Sequence, residues 1–221
     1  MGFNIAIDGP AGAGKSTIAK KVAAELGYIY VDTGAMYRAL ALYFIRQSID
    51  AADEAAIAGA LSGVSVCLAY QDGQQQVILN DENVTGSIRT EAVGNMASAT
   101  SVYPVVRATL LDLQRDMAAN NDVIMDGRDI GTNILPNAEV KIYLTASSKE
   151  RARRRALELT QKGIACDVEA IEHDINERDE RDKNREIAPL RQAEDAIYLD
   201  TSDMNIDEVV QTILDIVKER Q

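Results

Sequence analysis

The stretch Gly9-Pro10-Ala11-Gly12-Ala13-Gly14-Lys15-Ser16-Thr17 constrains this chain more than any other. It fits the G-x-x-x-x-G-K-[ST] pattern of a phosphate-binding loop, with Gly9 and Gly14 framing the turn. Residues 3–8 before it form an apolar run of strand length. After it, Ile18, Val22 and Leu26 recur four apart, which predicts a helix from Lys15 to Leu26. A strand, a glycine loop and a helix start in that order aim backbone N–H groups and the helix dipole at an anion. Glycines let the backbone come close to phosphate oxygens, because they carry no side chain and tolerate positive φ. Lys15 is placed to reach the β- and γ-phosphates of a nucleotide, and the Ser16 hydroxyl to face a magnesium ion. The plainer alternative is a glycine-rich turn between a core strand and a core helix. The register of motif, strand and helix weighs against it.

The alternation continues. Residues 28–32 read as a strand, 33–47 as a helix striped by Met36, Leu40, Tyr43 and Phe44, and 54–61 as a short helix capped by Asp53. Alternating strands and helices point to a parallel sheet covered by helices. The pattern then breaks at residues 64–70, which alternate with period two. A turn signal at 71–73, a partner strand at 76–79 and a second polar turn at 80–83 before Val84 and Thr85 make a small antiparallel meander. Helices are expected at 90–99, 105–119, from Ser147 to about Lys162, and from Val168 to about Lys183. Ser147 and Glu150, and later Asn205 and Glu208, have capping-box spacing. Strands are expected at 122–126, 141–145 and 197–200. A closing helix would pack Ile206, Val209, Val210, Ile213, Leu214 and Val217 on the core.

At 221 residues the chain suits one domain with appendages. A formal net charge of −12 argues against a nucleic-acid partner, since phosphate backbones require a basic surface. Cys67 and Cys166 stand alone, so no disulfide framework is expected and a reducing cytoplasm is the natural compartment. No signal peptide is expected before the first strand, and no apolar run reaches membrane-spanning length.

Two further signals carry chemistry. Asp126-Gly127-Arg128-Asp129 ends an apolar strand with a carboxylate, the place where a phosphate-loop protein sets a magnesium-organising acid. The glycine turn after it would aim Arg128 and Asp129 at the crevice beyond the strand ends. Arginines are also clustered: seven of fifteen, Arg151, Arg153, Arg154, Arg155, Arg178, Arg181 and Arg185, fall within 35 residues. Guanidinium groups both relieve repulsion between two phosphorylated reactants and stabilise a transferring phosphoryl group, one such group contributing roughly 10³–10⁵ in rate. Arg178, Asp182 and Arg185 would share one face if their helix persists. A salt-bridged exposed helix is the alternative for each segment singly. No N-K-x-D motif marks a GTPase, and His173, seven residues after Cys166, makes no metal site without more ligands.

Taken together, these strings resemble the bacterial cytidylate kinases, nucleoside monophosphate kinases of the P-loop family. The resemblance is carried by Ile7-Asp8-Gly9-Pro10 and Asp32-Thr33-Gly34-Ala35-Met36-Tyr37-Arg38, with Ile88-Arg89-Thr90 and Val106-Arg107. The strings at residues 126–132 and 177–185 complete it, so that it covers essentially the whole chain. It implies transfer of the ATP γ-phosphoryl to CMP or dCMP with Mg2+, by an α/β protein. The implied fold is a P-loop NTPase-type parallel β-sheet core flanked by helices, with a small antiparallel β insert and a helical lid. In a single domain over 1–221, the core would be 1–36, 105–146 and 187–221. The monophosphate-binding region would be 37–104, with its β insert at about 63–88, and the lid about 147–186.

By position, Gly9 to Thr17 and Arg154 would bind ATP, and Ser16 and Asp126 would serve the metal. Arg38, Arg128 and Arg185 would hold phosphates. Arg107 and Asp129, aided by Thr33, would read the cytosine edge, because cytosine offers an N4 donor to a carboxylate and O2/N3 acceptors to a guanidinium. Arg178 and Asp182 would hold the pentose, with Ser98 supporting Asp182. Lys15, Arg128, Arg178 and Arg185 form the expected catalytic set. A monomer is expected, with neither membrane nor nucleic acid as partner. Thr33 stands where serine is common in the family, and the hydroxyl is kept. Two other readings stay open on the residues: a small P-loop kinase with a different acceptor, and a nucleotide-gated binding module.

Overall fold

The computed structural model describes residues 2–71 and 73–221, so Asp72, at the centre of the expected turn at 71–73, lies outside the described residues. Five strands make one parallel sheet: β1 (Asn4–Asp8), β2 (Ile29–Asp32), β6 (Val123–Gly127), β7 (Val140–Thr145) and β8 (Ile197–Asp200), in the order β2-β6-β1-β7-β8. Strands buried on both faces need continuous apolar runs rather than alternation, which is why Ile5, Ala6 and Ile7 are all fully buried. On one face, Ile5, Ile7, Ile142 and Leu144 pack with α1 (Lys15–Leu26) and α8 (Ile206–Arg220). On the other, Ala6, Val31 and Met125 pack with α2 (Thr33–Arg46), α4 (Glu91–Thr100) and α5 (Pro104–Asn120). β1 lies between β6 and β7 although its chain continues through α1 to β2. That reversal opens a crevice beyond the carboxyl ends of β1 and β6.

The insert follows α3 (Glu54–Ala60) as an antiparallel sheet, β3 (Val66–Gln71), β4 (Gln74–Leu79) and β5 (Glu82–Asn83). Alternation is realised in β4, whose Val77 and Leu79 enter the core beside α2, while β3 is largely exposed. Val84 and Thr85 are not the third strand. Val84 is fully buried, and the Thr85 hydroxyl accepts from the Val77 N–H, ending the ladder where the chain turns inward.

The segment expected to form a lid is α6 (Ser148–Gln161) and α7 (Val168–Asn184), which pack on each other. Two local expectations are corrected. Only half the Ser147–Glu150 box forms: Ser147 Oγ accepts from the Glu150 N–H, but the Glu150 carboxylate is taken by Arg153 and Arg154. Asn205 and Glu208 make the complete box. Ile206, expected against the core, is 48% exposed, because it begins α8 before that helix settles on the sheet.

Candidate active site

The loop and its lysine are built as the motif requires. A Cβ on Gly9 would stand 1.9 Å from the Leu144 carbonyl oxygen, so only glycine lets the loop pass β7 so closely. Lys15 is buried, and its Nζ donates to the Pro10 carbonyl at 2.7 Å, folding the side chain along the loop it serves. Burial, with the Arg128 charge acting the same way, pushes Lys15 down to about 7. Ser16 Oγ donates to Asp126 Oδ2 at 2.9 Å, and the Tyr30 hydroxyl donates to Asp126 Oδ1 at 2.8 Å. Burial, reinforced by the Asp32 carboxylate, pushes Asp126 up to about 6. A hydroxyl and a carboxylate side by side are hard oxygen donors, the chemistry that suits magnesium.

Opposite the loop, the turn after β6 collects the second group of side chains. A Cβ on Gly127 would lie 2.8 Å from Thr33 Oγ1, so the glycine leaves room for that hydroxyl, which donates to the Asp126 carbonyl at 2.8 Å. A π-helical turn at Ile130–Ile134 follows, clamped by Asp8: its two carboxylate oxygens accept from the Ile130 and Gly131 N–H groups at 2.8 Å each. The clamp fixes Asp129 just before that turn. Burial pushes Asp8 up to about 6 despite those two donors.

Asp129 is buried with a guanidinium on each oxygen: Arg107 Nη2 on Oδ2 and Arg185 Nη2 on Oδ1, the latter at 3.2 Å. Arg128 Nε donates to Asp182 Oδ2 at 2.8 Å, and although burial works against it, this pairing holds Asp182 below its ordinary value. Arg38 pairs with Asp32 at 2.9 Å. Arg178 is left without a side-chain hydrogen bond among the described residues. Its Nε is buried and unpartnered, and burial together with Arg128 pulls it down to about 10.

Residues 178, 182 and 185 do not share one helix face, because α7 ends at Asn184 and Arg185 is extended; Arg185 reaches Asp129 from that cap position. Ser98 is not bonded to Asp182. Its hydroxyl accepts from Arg181 Nη1 at 3.3 Å, since Asp182 is already engaged by Arg128. Arg154 is held at the end of β8 by Thr201 and by Glu150, with no bond to the loop. The arginine that touches the loop is Arg151: Nη1 donates to the Ala11 carbonyl and Nε to the Ala146 carbonyl, both at 2.9 Å, and Nη2 pairs with Asp179 at 2.7 Å. The sequence names Arg151 only as one of the clustered arginines and Asp8 and Asp179 only within longer strings, without these contacts. The only signal available was an isolated Asp-Gly at the strand end and one arginine among four neighbours.

A parallel sheet with a phosphate loop at β1, a serine–aspartate pair beside it and an arginine-rich face opposite define a P-loop protein that binds two phosphorylated molecules. The family profile for cytidylate kinase matches residues 5–219. A cytidylate kinase of Lactobacillus johnsonii is 50% identical over 219 residues, covering 99% of this chain and 95% of the relative. One from Shouchella clausii is 49% identical over 218 residues, covering 99% and 97%. The chain belongs to the cytidylate kinase family. An uncharacterized protein from Eubacterium ventriosum shares the fold at 13% identity, with a TM-score of 0.53 over 99% of both chains.

Proposed function

We propose that the chain transfers the γ-phosphoryl group of ATP to CMP and dCMP, giving ADP with CDP or dCDP. Family membership across residues 5–219 supports the reaction class. The observation that carries the acceptor is the buried Asp129 carboxylate held between Arg107 and Arg185. Such a group accepts from the N4 amino group of cytosine while the neighbouring guanidinium donates to O2 and N3. Uracil would turn an O4 acceptor toward Asp129 and leave buried partners unmatched.

On the donor side, the loop from Gly9 to Thr17 cradles the ATP phosphates, and Lys15 swings from Pro10 to the β- and γ-phosphates. Ser16 and Asp126 would hold Mg2+, which when bound neutralises charge on the β- and γ-oxygens. Arg38, Arg128 and Arg185 receive phosphate oxygens of the two reactants. The unpartnered Arg178 Nε is a donor awaiting one, and Arg178 with Asp182 takes the pentose. Ser98 supports that region through Arg181. Arg154 lies on the ATP side, steadied by Thr201. The segment 147–186 acts as a lid that excludes water, which would otherwise take the phosphoryl group.

Among the described residues no helix is long and apolar enough to cross a membrane. Cytoplasmic residence belongs to the same proposal, consistent with two exposed, unpaired thiols, as does a monomeric state.

The test is ADP formation from ATP and magnesium with CMP, dCMP, UMP, AMP or dTMP. Fastest turnover on the cytidine nucleotides is expected. Fastest turnover on another acceptor would assign a different monophosphate kinase, and ATP binding without any acceptor would assign a binding module.

A further inference from the structure

β2 is an outer strand of the parallel sheet, so one row of its backbone groups has no neighbouring strand. The insert covers that row with side chains. Gln75 Oε1 accepts from the Asp32 N–H at 2.8 Å, and Gln75 Nε2 donates to the Asp32 carbonyl at 3.4 Å. The Tyr70 hydroxyl donates to the Tyr30 carbonyl at 3.0 Å. Residues two apart in a strand present their backbone groups along the same edge, so Tyr30 and Asp32 are successive outward positions. Tyr70 and Gln75 face each other across the β3–β4 ladder. A single cross-strand pair therefore grips two successive positions of the sheet edge, and the Gln75 carboxamide pairs as the backbone of a missing strand would.

The Gln75 half of the grip lands on the acceptor side, while the Tyr70 half lands on Tyr30, whose hydroxyl bonds Asp126. Asp32 caps α2 through the Ala35 N–H at 2.9 Å, and its carboxylate holds Arg38 at 2.9 Å and Arg89 at 3.7 Å. The next residue is Thr33, tied to the Asp126 carbonyl. No bond of the clasp reaches the phosphate loop. We infer that Gln75, seconded by Tyr70, is a positioning residue for the acceptor nucleotide: the clasp fixes the insert against β2 and thereby holds Asp32, Thr33 and Arg38 in register. This inference rests on the acceptor assignment above.

Two measurements test it. Amide hydrogen exchange, which requires no substrate, should show faster exchange at Asp32 in Gln75→Ala, with β1 amides unchanged. Steady-state kinetics should show the CMP KM raised about 3–10-fold, with the ATP KM within about twofold. The decrease in kcat should be smaller than the rise in the CMP KM. Tyr70→Phe, a milder change, should move both readouts the same way. The double variant should fall short of the product of the two, because one clasp is being opened. Unchanged Asp32 exchange, or equal shifts in both KM values, would overturn the inference. Absence of wild-type turnover on cytidine nucleotides would overturn the functional reading instead, and Asp32 exchange would then judge the clasp alone.

Discussion

At the scale of single residues, the site is a place where charges are held against burial. Asp126 is the clearest instance. Its carboxyl sits among Ser16, Tyr30 and the Asp32 charge, and burial carries it from 3.8 to about 6. The native state therefore binds more protons than the unfolded chain between those values. The destabilisation appears as pH climbs through that window, is complete above about 6, and is absent below 3.8. Asp126→Asn keeps the shape and removes the charge, so we expect a higher Tm at pH 7.5, a gain on the order of 1–3 kcal/mol. The gain should shrink as pH falls toward 4, while phosphoryl transfer is lost. Thermal melts of both proteins across that pH range measure it, and a Tm difference independent of pH would show that charge burial is not the cause. Asp126 was legible in the sequence because its carboxylate closes an apolar strand and is followed at once by Gly127, Arg128 and Asp129. Asp8 ends a strand in the same way, yet its service to the Ile130 and Gly131 N–H groups depends on a turn 122 residues away, for which no local signal exists.

At the scale of elements, α6 and α7 are joined to the loop through the Arg151 side chain. Arg151 spans Ala11, Ala146 and Asp179, and both it and Asp179 are buried. Gly12 stands directly under this joint, with the site of its absent Cβ 3.4 Å from Arg151 Cβ and 3.8 Å from Ile175 Cδ1. Removing one partner of a buried ion pair leaves the other charge uncompensated, at about 3–5 kcal/mol. Asp179→Asn should therefore loosen the lid rather than the acceptor side. It should raise the ATP KM more than the CMP KM and increase ATP hydrolysis in the absence of acceptor. Steady-state kinetics decide it, and equal changes for both substrates would separate Arg151 from the donor site. Helix and strand existence was legible from periodicity, as for α1, whose stripe of Ile18 and Val22 is buried as expected. Features decided by competition were not. Glu150 had both a capping role and two arginines within reach, and the arginines took its carboxylate. Arg185 was expected on a helical face and instead leaves the helix to meet Asp129.

At the scale of the whole molecule, a chain with net charge −12 gathers Arg38, Arg107, Arg128, Arg178 and Arg185 where two phosphorylated substrates must meet. The strand order β2-β6-β1-β7-β8 makes this possible, bringing the ends of β1 and β6 together so that the loop and the Asp126–Asp129 turn line one crevice. An alternating strand–helix pattern predicts a parallel sheet but does not determine which strands are neighbours. The loop that first defined the fold accounts for the donor. In the proposed reading the acceptor is recognised by Thr33, Arg107, Asp129 and Arg185, residues drawn from four separate parts of the chain. The most direct measurement is kcat/KM for CMP and for UMP, with magnesium and ATP, in the wild-type protein and in Asp129→Ala. The wild type should favour CMP by on the order of 10²-fold or more, and the variant should lose most of that ratio. Equal efficiency on the two acceptors, or a ratio untouched by Asp129→Ala, would contradict the account.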